Sequence, residues 1–287
     1  MAQVVGPEGQ SRLEVGDRGL LLLGCGKMGS ALLNGWLNAG LDPEQIIVLD
    51  PRPSDWLQSL KHLGLRLNQQ PAEPPSVAVI ATKPQVMTSA LSNLNSLGSR
   101  QTLFVSVAAG TLISTCEELL GPQTPIVRTM PNTPAAVGSG ITALVGNACT
   151  TASHMDLAIQ LMQAVGETVI LDNEDMLHAV TAISGSGPAY VFALTEALAE
   201  AGRELGLAQE VSAKLASAMV SGSGDLMRHS PNSPAELRNQ VTSPNGTTEA
   251  GLRELMSLEK GVFPLIQRTA QAAHSRSVEL SQRADGT

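Results

Sequence analysis

Four consecutive leucines, Leu20-Leu21-Leu22-Leu23, run directly into Gly24-Cys25-Gly26-Lys27-Met28-Gly29. An unbroken apolar run of this length suits a strand buried on both faces. The three glycines then describe a tight turn that opens a helix. Gly24 permits the turn, Gly26 admits close backbone approach, and Gly29 lets the helix lie against the strand. Ala31, Leu32, Leu33, Trp36 and Leu37 give that helix an apolar face, and Gly40 ends it. Free N–H groups at such a helix start hold phosphates, so a dinucleotide is the first ligand to consider, with Gly24, Cys25, Gly26, Lys27, Met28 and Gly29 as its cradle.

Short β-branched and apolar runs recur downstream at 46–49, 77–80, 103–105, 125–127, 141–145 and 168–171, separated by helical stretches. This alternation predicts an α/β fold, a Rossmann-type doubly wound parallel sheet over residues 19–172. Asp50 ends the second run, where an acidic side chain accepts from an adenosine ribose. Arg52 stands two positions later and could instead meet a 2′-phosphate. Asp50 favours NAD and Arg52 favours NADP, and the sequence leaves both open.

After Asp172 the strand-like runs stop, and alanine, leucine, glutamate and glutamine recur at helical spacing. Residues 173–287 therefore read as an all-helical domain. Small residues line its long segments (Ala193, Ala197, Ala201; Ala213, Ala216, Ser217, Ala218), allowing close helix packing. So thin a helical domain is expected to complete its core through a partner subunit. Residues 1–18 are polar and glycine-containing, lack an apolar signal core, and read as a flexible N-terminal extension.

A net charge of −8 with only 18 basic residues argues against nucleic-acid binding, and 2% aromatics leaves few stacking platforms. No apolar run is long enough to span a membrane. Three cysteines without paired spacing fit the reducing cytoplasm. None of the five histidines pairs with a nearby cysteine, so no metal is expected.

Further short runs have residue types awkward for plain structure. Ala81-Thr82-Lys83-Pro84-Gln85, Val107-Ala108-Ala109-Gly110 and Arg128-Thr129-Met130-Pro131-Asn132-Thr133-Pro134 each follow a predicted strand at the sheet edge that carries the glycine turn. Each alone could be an ordinary turn, but together they outline a cleft, with Ala81, Thr82, Lys83, Pro84 and Ala109 as cofactor candidates. Ser184-Gly185-Ser186-Gly187-Pro188 interrupts a helical pattern at a cost of several kcal/mol and needs compensation. Finally, Val241-Thr242-Ser243-Pro244-Asn245-Gly246-Thr247-Thr248-Glu249-Ala250-Gly251-Leu252 sets Ser-Pro-Asn-Gly-Thr-Thr at a helix start.

With GCGKMG, ATKPQ, VAAG, RTMPNTPA, AISGSGPAY and VTSPNGTTEAGL in this order, the chain from about Leu20 to Leu280 resembles pyrroline-5-carboxylate reductase. The resemblance implies NAD(P)H-dependent reduction of 1-pyrroline-5-carboxylate to L-proline, with NADPH as cofactor and NADH as the alternative. It also implies an intertwined helical homodimer, with larger rings of dimers occurring in the family. Backbone N–H groups of the loop Asn245, Gly246, Thr247 and Thr248 would hold the substrate carboxylate, with Ser243 a further substrate-binding residue, and Thr248 would place its hydroxyl at the ring nitrogen as the catalytic residue. Glu174 aligns with an acidic residue near the substrate, although Asp172 and Asp175 lie beside it. Asn68 matches an asparagine at the nucleotide ribose, and Gln240 is a further cofactor candidate.

Asn245 stands where the family usually has glycine; asparagine tolerates left-handed backbone angles better than other side chains. Two rivals are another two-domain reductase or 3-hydroxyacid dehydrogenase with the same sheet, and a nucleotide-sensing or regulatory protein that dimerises without turnover. The first would place a catalytic lysine in the early helices of its second domain. Here Lys214, without a flanking motif, is the only lysine between Lys83 and Lys260. The second is opposed by Ser243, Gly246 and Thr248 and favoured only by Asn245.

Overall fold

The computed structural model describes residues 3–5, 13–82, 87, 90, 91, 94 and 101–285. They form two compact units, one of residues 1–185 with 274–287 and the other of residues 186–273.

The first unit is built on a nine-stranded sheet. Its strands are β1 (Gln3–Val5), β2 (Leu20–Leu23), β3 (Ile46–Leu49), β4 (Arg66–Leu67), β5 (Val77–Ile80), β6 (Leu103–Ser106), β7 (Ile126–Met130), β8 (Gly140–Gly146) and β9 (Gly166–Ile170). Their order is β1-β9-β8-β7-β6-β5-β2-β3-β4. From β4 to β7 every pair is parallel, whereas β7 meets β8 and β9 meets β1 antiparallel. The chain leaves β2 towards β3 on one side and returns to β5 on the other, so the crevice where such sheets bind ligands opens beyond the carboxyl end of β2.

Alternate strand residues enter opposite cores. Leu20 and Leu22 pack with Val48, Val79 and Val105 on one face, and Leu21 and Leu23 with Ile47, Ile80 and Phe104 on the other. That two-sided burial is why these strands read as continuous apolar runs. The helix α1 (Lys27–Asn38) buries Leu32, Leu33 and Trp36. The Trp36 Nε1–H donates to the Leu161 carbonyl at 2.9 Å. Leu161 lies on α4 (Ala152–Gln163), which follows α2 (Asp55–Ser59) and α3 (Ile113–Leu120).

Two features differ from expectation. The extension over 1–18 contributes the edge strand β1, and Leu13 and Val15 are buried in the same core as Trp36. Isolated apolar residues among polar ones give no period to read, yet each fills a site on the core. The first unit also continues past Asp172 through α5 (Met176–Val180) to Gly185 and regains the chain at His274. Leu171, Leu177 and Ala182 are buried, which ties this stretch to the sheet unit in spite of its helical spacing.

The second unit holds α6 (Gly187–Glu204), α7 (Gln209–His229), α8 (Pro234–Gln240), α9 (Thr247–Leu255) and the first half of α10 (Val262–Asp285). α6 and α7 approach closely: the Ser212 hydroxyl donates to the Ala199 carbonyl at 2.5 Å, and a Cβ at Gly202 would collide with Ser212 Oγ. Their remaining apolar residues stay uncovered, among them Val191, Phe192, Leu194, Leu215 and Met219.

Candidate active site

At the carboxyl end of β2, each glycine of the turn has a distinct local reason. Gly24 sits at φ +87°, and a Cβ there would lie 2.9 Å from the Ala81 carbonyl oxygen. A Cβ on Gly29 would strike the Gly24 carbonyl, whereas nothing lies within 4 Å of one on Gly26. The helix α1 therefore starts beside an open cradle. Gly26 caps it without a side-chain bond, and no acidic residue occupies its first turn. Among the described residues no acceptor meets the N–H groups of Lys27, Met28 and Gly29. An uncompensated helix start next to open space fits a pyrophosphate.

Asp50 closes one side of this cradle. Its Oδ2 accepts from the Cys25 N–H at 2.7 Å, and its Oδ1 accepts from the Arg52 N–H at 2.7 Å. Asn68, at φ 55°, grips the same peptide: the Asp50 N–H donates to Asn68 Oδ1 at 2.8 Å and Asn68 Nδ2 donates to the Asp50 carbonyl at 2.9 Å. The Cys25 thiol is buried, and that desolvation pushes its pKa up against the opposing Ser30 hydrogen bond, which disfavours the thiolate.

Ala81 and Thr82 follow β5, and the Ala81 N–H donates to the Leu23 carbonyl at 2.8 Å, which holds them beside the glycine turn. Ala109 is exposed just beyond β6. Lys83 and Pro84 lie outside the described residues. The turn, Asp50, Asn68, Ala81, Thr82 and Ala109 thus share one sheet edge, spread over the neighbouring strands β4, β3, β2, β5 and β6.

The interrupted helix is compensated within the first unit. α5 passes into a π-helical turn, Thr181–Gly185, in which the Thr181 and Ser184 hydroxyls donate to the Leu177 and Val180 carbonyls. Asn132 Nδ2 donates to the Ser184 carbonyl at 3.2 Å, and a Cβ on Gly185 would lie 2.7 Å from Met130 Cε. The two runs around Asn132 and Ser184 therefore meet, and the glycine makes room for Met130.

Glu174 has internal partners that its assignment to the substrate did not foresee. Its Oε1 lies 2.5 Å from Arg128 Nη1 and also accepts from the Ile113 N–H at 2.8 Å, at the start of α3. A carboxylate pairing a buried guanidinium and capping a helix is explained by the fold alone. Beside this pair, burial pushes the Cys116 thiol up to about 12, with Arg128 pulling the other way.

In the second unit, Ser243, Asn245 and Gly246 lead into α9, whose first two residues are Thr247 and Thr248, and Gln240 is the exposed last residue of α8 just before them. Asn245 adopts φ 59°, the left-handed angle anticipated for it. Gly246 is the N-cap, and its N–H donates to the Ser243 carbonyl at 3.0 Å. Among the described residues no acceptor meets the N–H groups of Thr247, Thr248 and Glu249, and the Thr247 and Thr248 side chains are exposed. Sequence reasoning missed Glu249, whose Oε2 accepts from the Asn245 N–H at 2.6 Å. Its spacing from the N-cap, as in a capping box, was the available signal. No group of three His, Cys, Asp or Glu among the described residues could hold a metal, and no described helix is long and apolar enough to cross a membrane.

Comparison with known proteins gives these features a context. The family model for pyrroline-5-carboxylate reductase dimerisation matches residues 174–280, and that for coenzyme F420-dependent NADP oxidoreductase matches residues 20–110. A pyrroline-5-carboxylate reductase of Pseudomonas aeruginosa is 36% identical over 92% of this chain and 97% of its own length. Among solved structures, a pyrroline-5-carboxylate reductase of Coxiella burnetii superposes with a TM-score of 0.86 at 32% identity, covering 92% of this chain and 98% of the other. The Plasmodium falciparum pyrroline carboxylate reductase, solved with NADP bound, gives 0.77 at 30% identity with the same coverage.

Proposed function

This chain belongs to the pyrroline-5-carboxylate reductase family and reduces 1-pyrroline-5-carboxylate to L-proline with NAD(P)H; we propose that the loop Ser243 to Thr248 holds the substrate and that Thr248 serves the imine nitrogen. The observation that carries this is the start of α9, where three consecutive N–H groups meet no acceptor among the described residues and stand next to an exposed threonine hydroxyl. A substrate carboxylate is the anion such a helix start accepts. Gly246 keeps the approach to it open.

The glycine turn and the start of α1 hold the pyrophosphate, while Ala81, Thr82 and Ala109 line the same edge. A reduced nicotinamide bound there would supply the hydride that the electrophilic imine carbon accepts. Holding the carboxylate at α9 fixes the orientation of the cyclic imine, and alignment is most of what such a reduction needs. The Thr248 hydroxyl oxygen would accept from the N–H of the protonated ring nitrogen and keep that proton in place. An imine is basic enough to arrive protonated, so a hydroxyl suffices where an alcohol dehydrogenase needs a stronger acid.

The dimerisation family model covers the helical unit, and the chain assembles with a partner. We assign a two-fold homodimer as that assembly, supported by the uncovered apolar residues of α6 and α7. The three cysteines are all free, which accords with a cytoplasmic location.

The test is oxidation of NADH or NADPH by the purified chain, expected only when the cyclic imine is present. Thr248→Ala should lower turnover by at least about tenfold while dinucleotide affinity is unchanged. An unaltered turnover would remove Thr248 from the mechanism.

A further inference from the structure

We infer that Asp50 makes this chain selective for NADH over NADPH; the inference rests on the dinucleotide site proposed above and identifies which dinucleotide that site takes. Both oxygens of the Asp50 carboxylate are fixed by main-chain donors, Cys25 N–H on Oδ2 and Arg52 N–H on Oδ1, each at 2.7 Å. The peptide that carries it is clasped on both sides by Asn68, whose own N–H is anchored on the Val48 carbonyl at 2.8 Å. Swinging the acid out of the way would break both carboxylate hydrogen bonds. It stands at the end of β3, adjacent to the glycine turn, where the Gly24 N–H also reaches across to the Leu49 carbonyl at 2.9 Å.

An ionised carboxylate has about four lone-pair sites, of which the two N–H groups use two. The remaining sites accept from the hydroxyls of an unmodified ribose. A 2′-phosphate offers no donor and brings a charge of about −1.5 to −2 against a fixed anion. Ribose is thus favoured twice, by gained hydrogen bonds and by avoided repulsion.

Arg52 does not reverse this preference. What the structure shows it contributing is its backbone N–H, which stiffens the acid. Its side chain is exposed and makes no hydrogen bond or ion pair among the described residues. Recruiting it to a phosphate would first require ordering a free guanidinium, and solvent and salt would screen the result.

The test measures binding directly. NADH and NADPH are titrated into the full-length chain without substrate, following nicotinamide fluorescence, for the wild type, Asp50→Asn, Asp50→Ser and Arg52→Ala. NADH should bind the wild type at least about tenfold more tightly than NADPH. Asp50→Asn keeps an acceptor oxygen but loses the charge, and should close that gap by about fivefold or more. Asp50→Ser, which removes the carboxylate, should close it further, and Arg52→Ala should leave it within about twofold. Equal or tighter NADPH binding by the wild type overturns the inference, as does an unchanged ratio in Asp50→Asn. Selective NADH binding without imine reduction would sustain the role of Asp50 while overturning the proposed substrate.

Discussion

The carboxylate of Glu249 accepts a hydrogen bond from the backbone N–H of Asn245 at 2.6 Å, tying the third residue of α9 back to the one left-handed residue of the loop before it. Glycine would hold φ > 0 at this position without strain, whereas asparagine carries a residual cost. The Glu249 contact offsets it and takes up one N–H of the loop proposed above to hold the substrate carboxylate.

Glu249→Ala removes the acceptor and loosens the loop, so KM for the cyclic imine should rise by about three- to tenfold, with a smaller fall in kcat. Glu249→Gln retains an acceptor oxygen and carries no charge to oppose the substrate anion. Its KM should stay within about twofold of the wild type or fall below it. Steady-state kinetics on both variants check this, and equal KM values for Ala and wild type would remove Glu249 from the loop's support.

Glu174 is expected to govern stability rather than substrate affinity. Arg128 is 7% exposed and Glu174 24%, so removing the carboxylate strands a buried guanidinium and leaves the Ile113 N–H without its acceptor. Glu174→Ala should cost about 2–3 kcal/mol, read as a lower denaturant midpoint, with KM for the imine unchanged. A large rise in KM at unaltered stability would return Glu174 to the substrate site.

What could be read ahead of the structure was what sits close along the chain. The Gly24 to Gly29 turn, the apolar strands and the loop at Asn245 announce themselves through spacing and residue type. β1 and β4 are too short, at three and two residues, to show any period. The partners of Asp50 and Glu174 lie far along the chain: Cys25 is 25 positions from Asp50, and Arg128 is 46 from Glu174. Such contacts exist only once the strands have chosen their neighbours. The end of the sheet unit was hidden for a related reason. α5 has helical spacing, and only its packing, through Leu177, shows that it belongs with the sheet.

His178 links stability to pH. It donates to or accepts from Ser277 Oγ through Nδ1 at 2.9 Å, and its ring meets that of His274 edge-on at 6.1 Å between centroids. Burial first, then the positive charges of Arg128 and His274, lower its pKa below the ordinary histidine value, outweighing Asp175 and Glu174. The folded state thus binds this proton less readily than the unfolded chain. The resulting stability is complete above about pH 6.5 and is lost as pH falls through that value towards the lower folded pKa. His178→Asn, which can still hydrogen-bond Ser277, should flatten the fall in unfolding midpoint between about pH 7 and 5. An identical slope in the variant would mean that other groups carry the dependence.

The helical unit should come apart through its apolar stripe. Val211, Leu215 and Met219 recur at four-residue spacing on α7 and are each about half exposed in the single chain, at 49%, 56% and 49%. In a two-fold interface a change at one position appears twice, so Met219→Glu brings two carboxylates into the apolar contact. Burying each without a partner costs several kcal/mol, enough to shift the assembly to monomer at about micromolar concentration. Sedimentation should show half the wild-type mass. The circular dichroism of the sheet unit should persist, since its cores are formed within one chain. A variant that sediments at the wild-type mass would place the interface on another face of the helices.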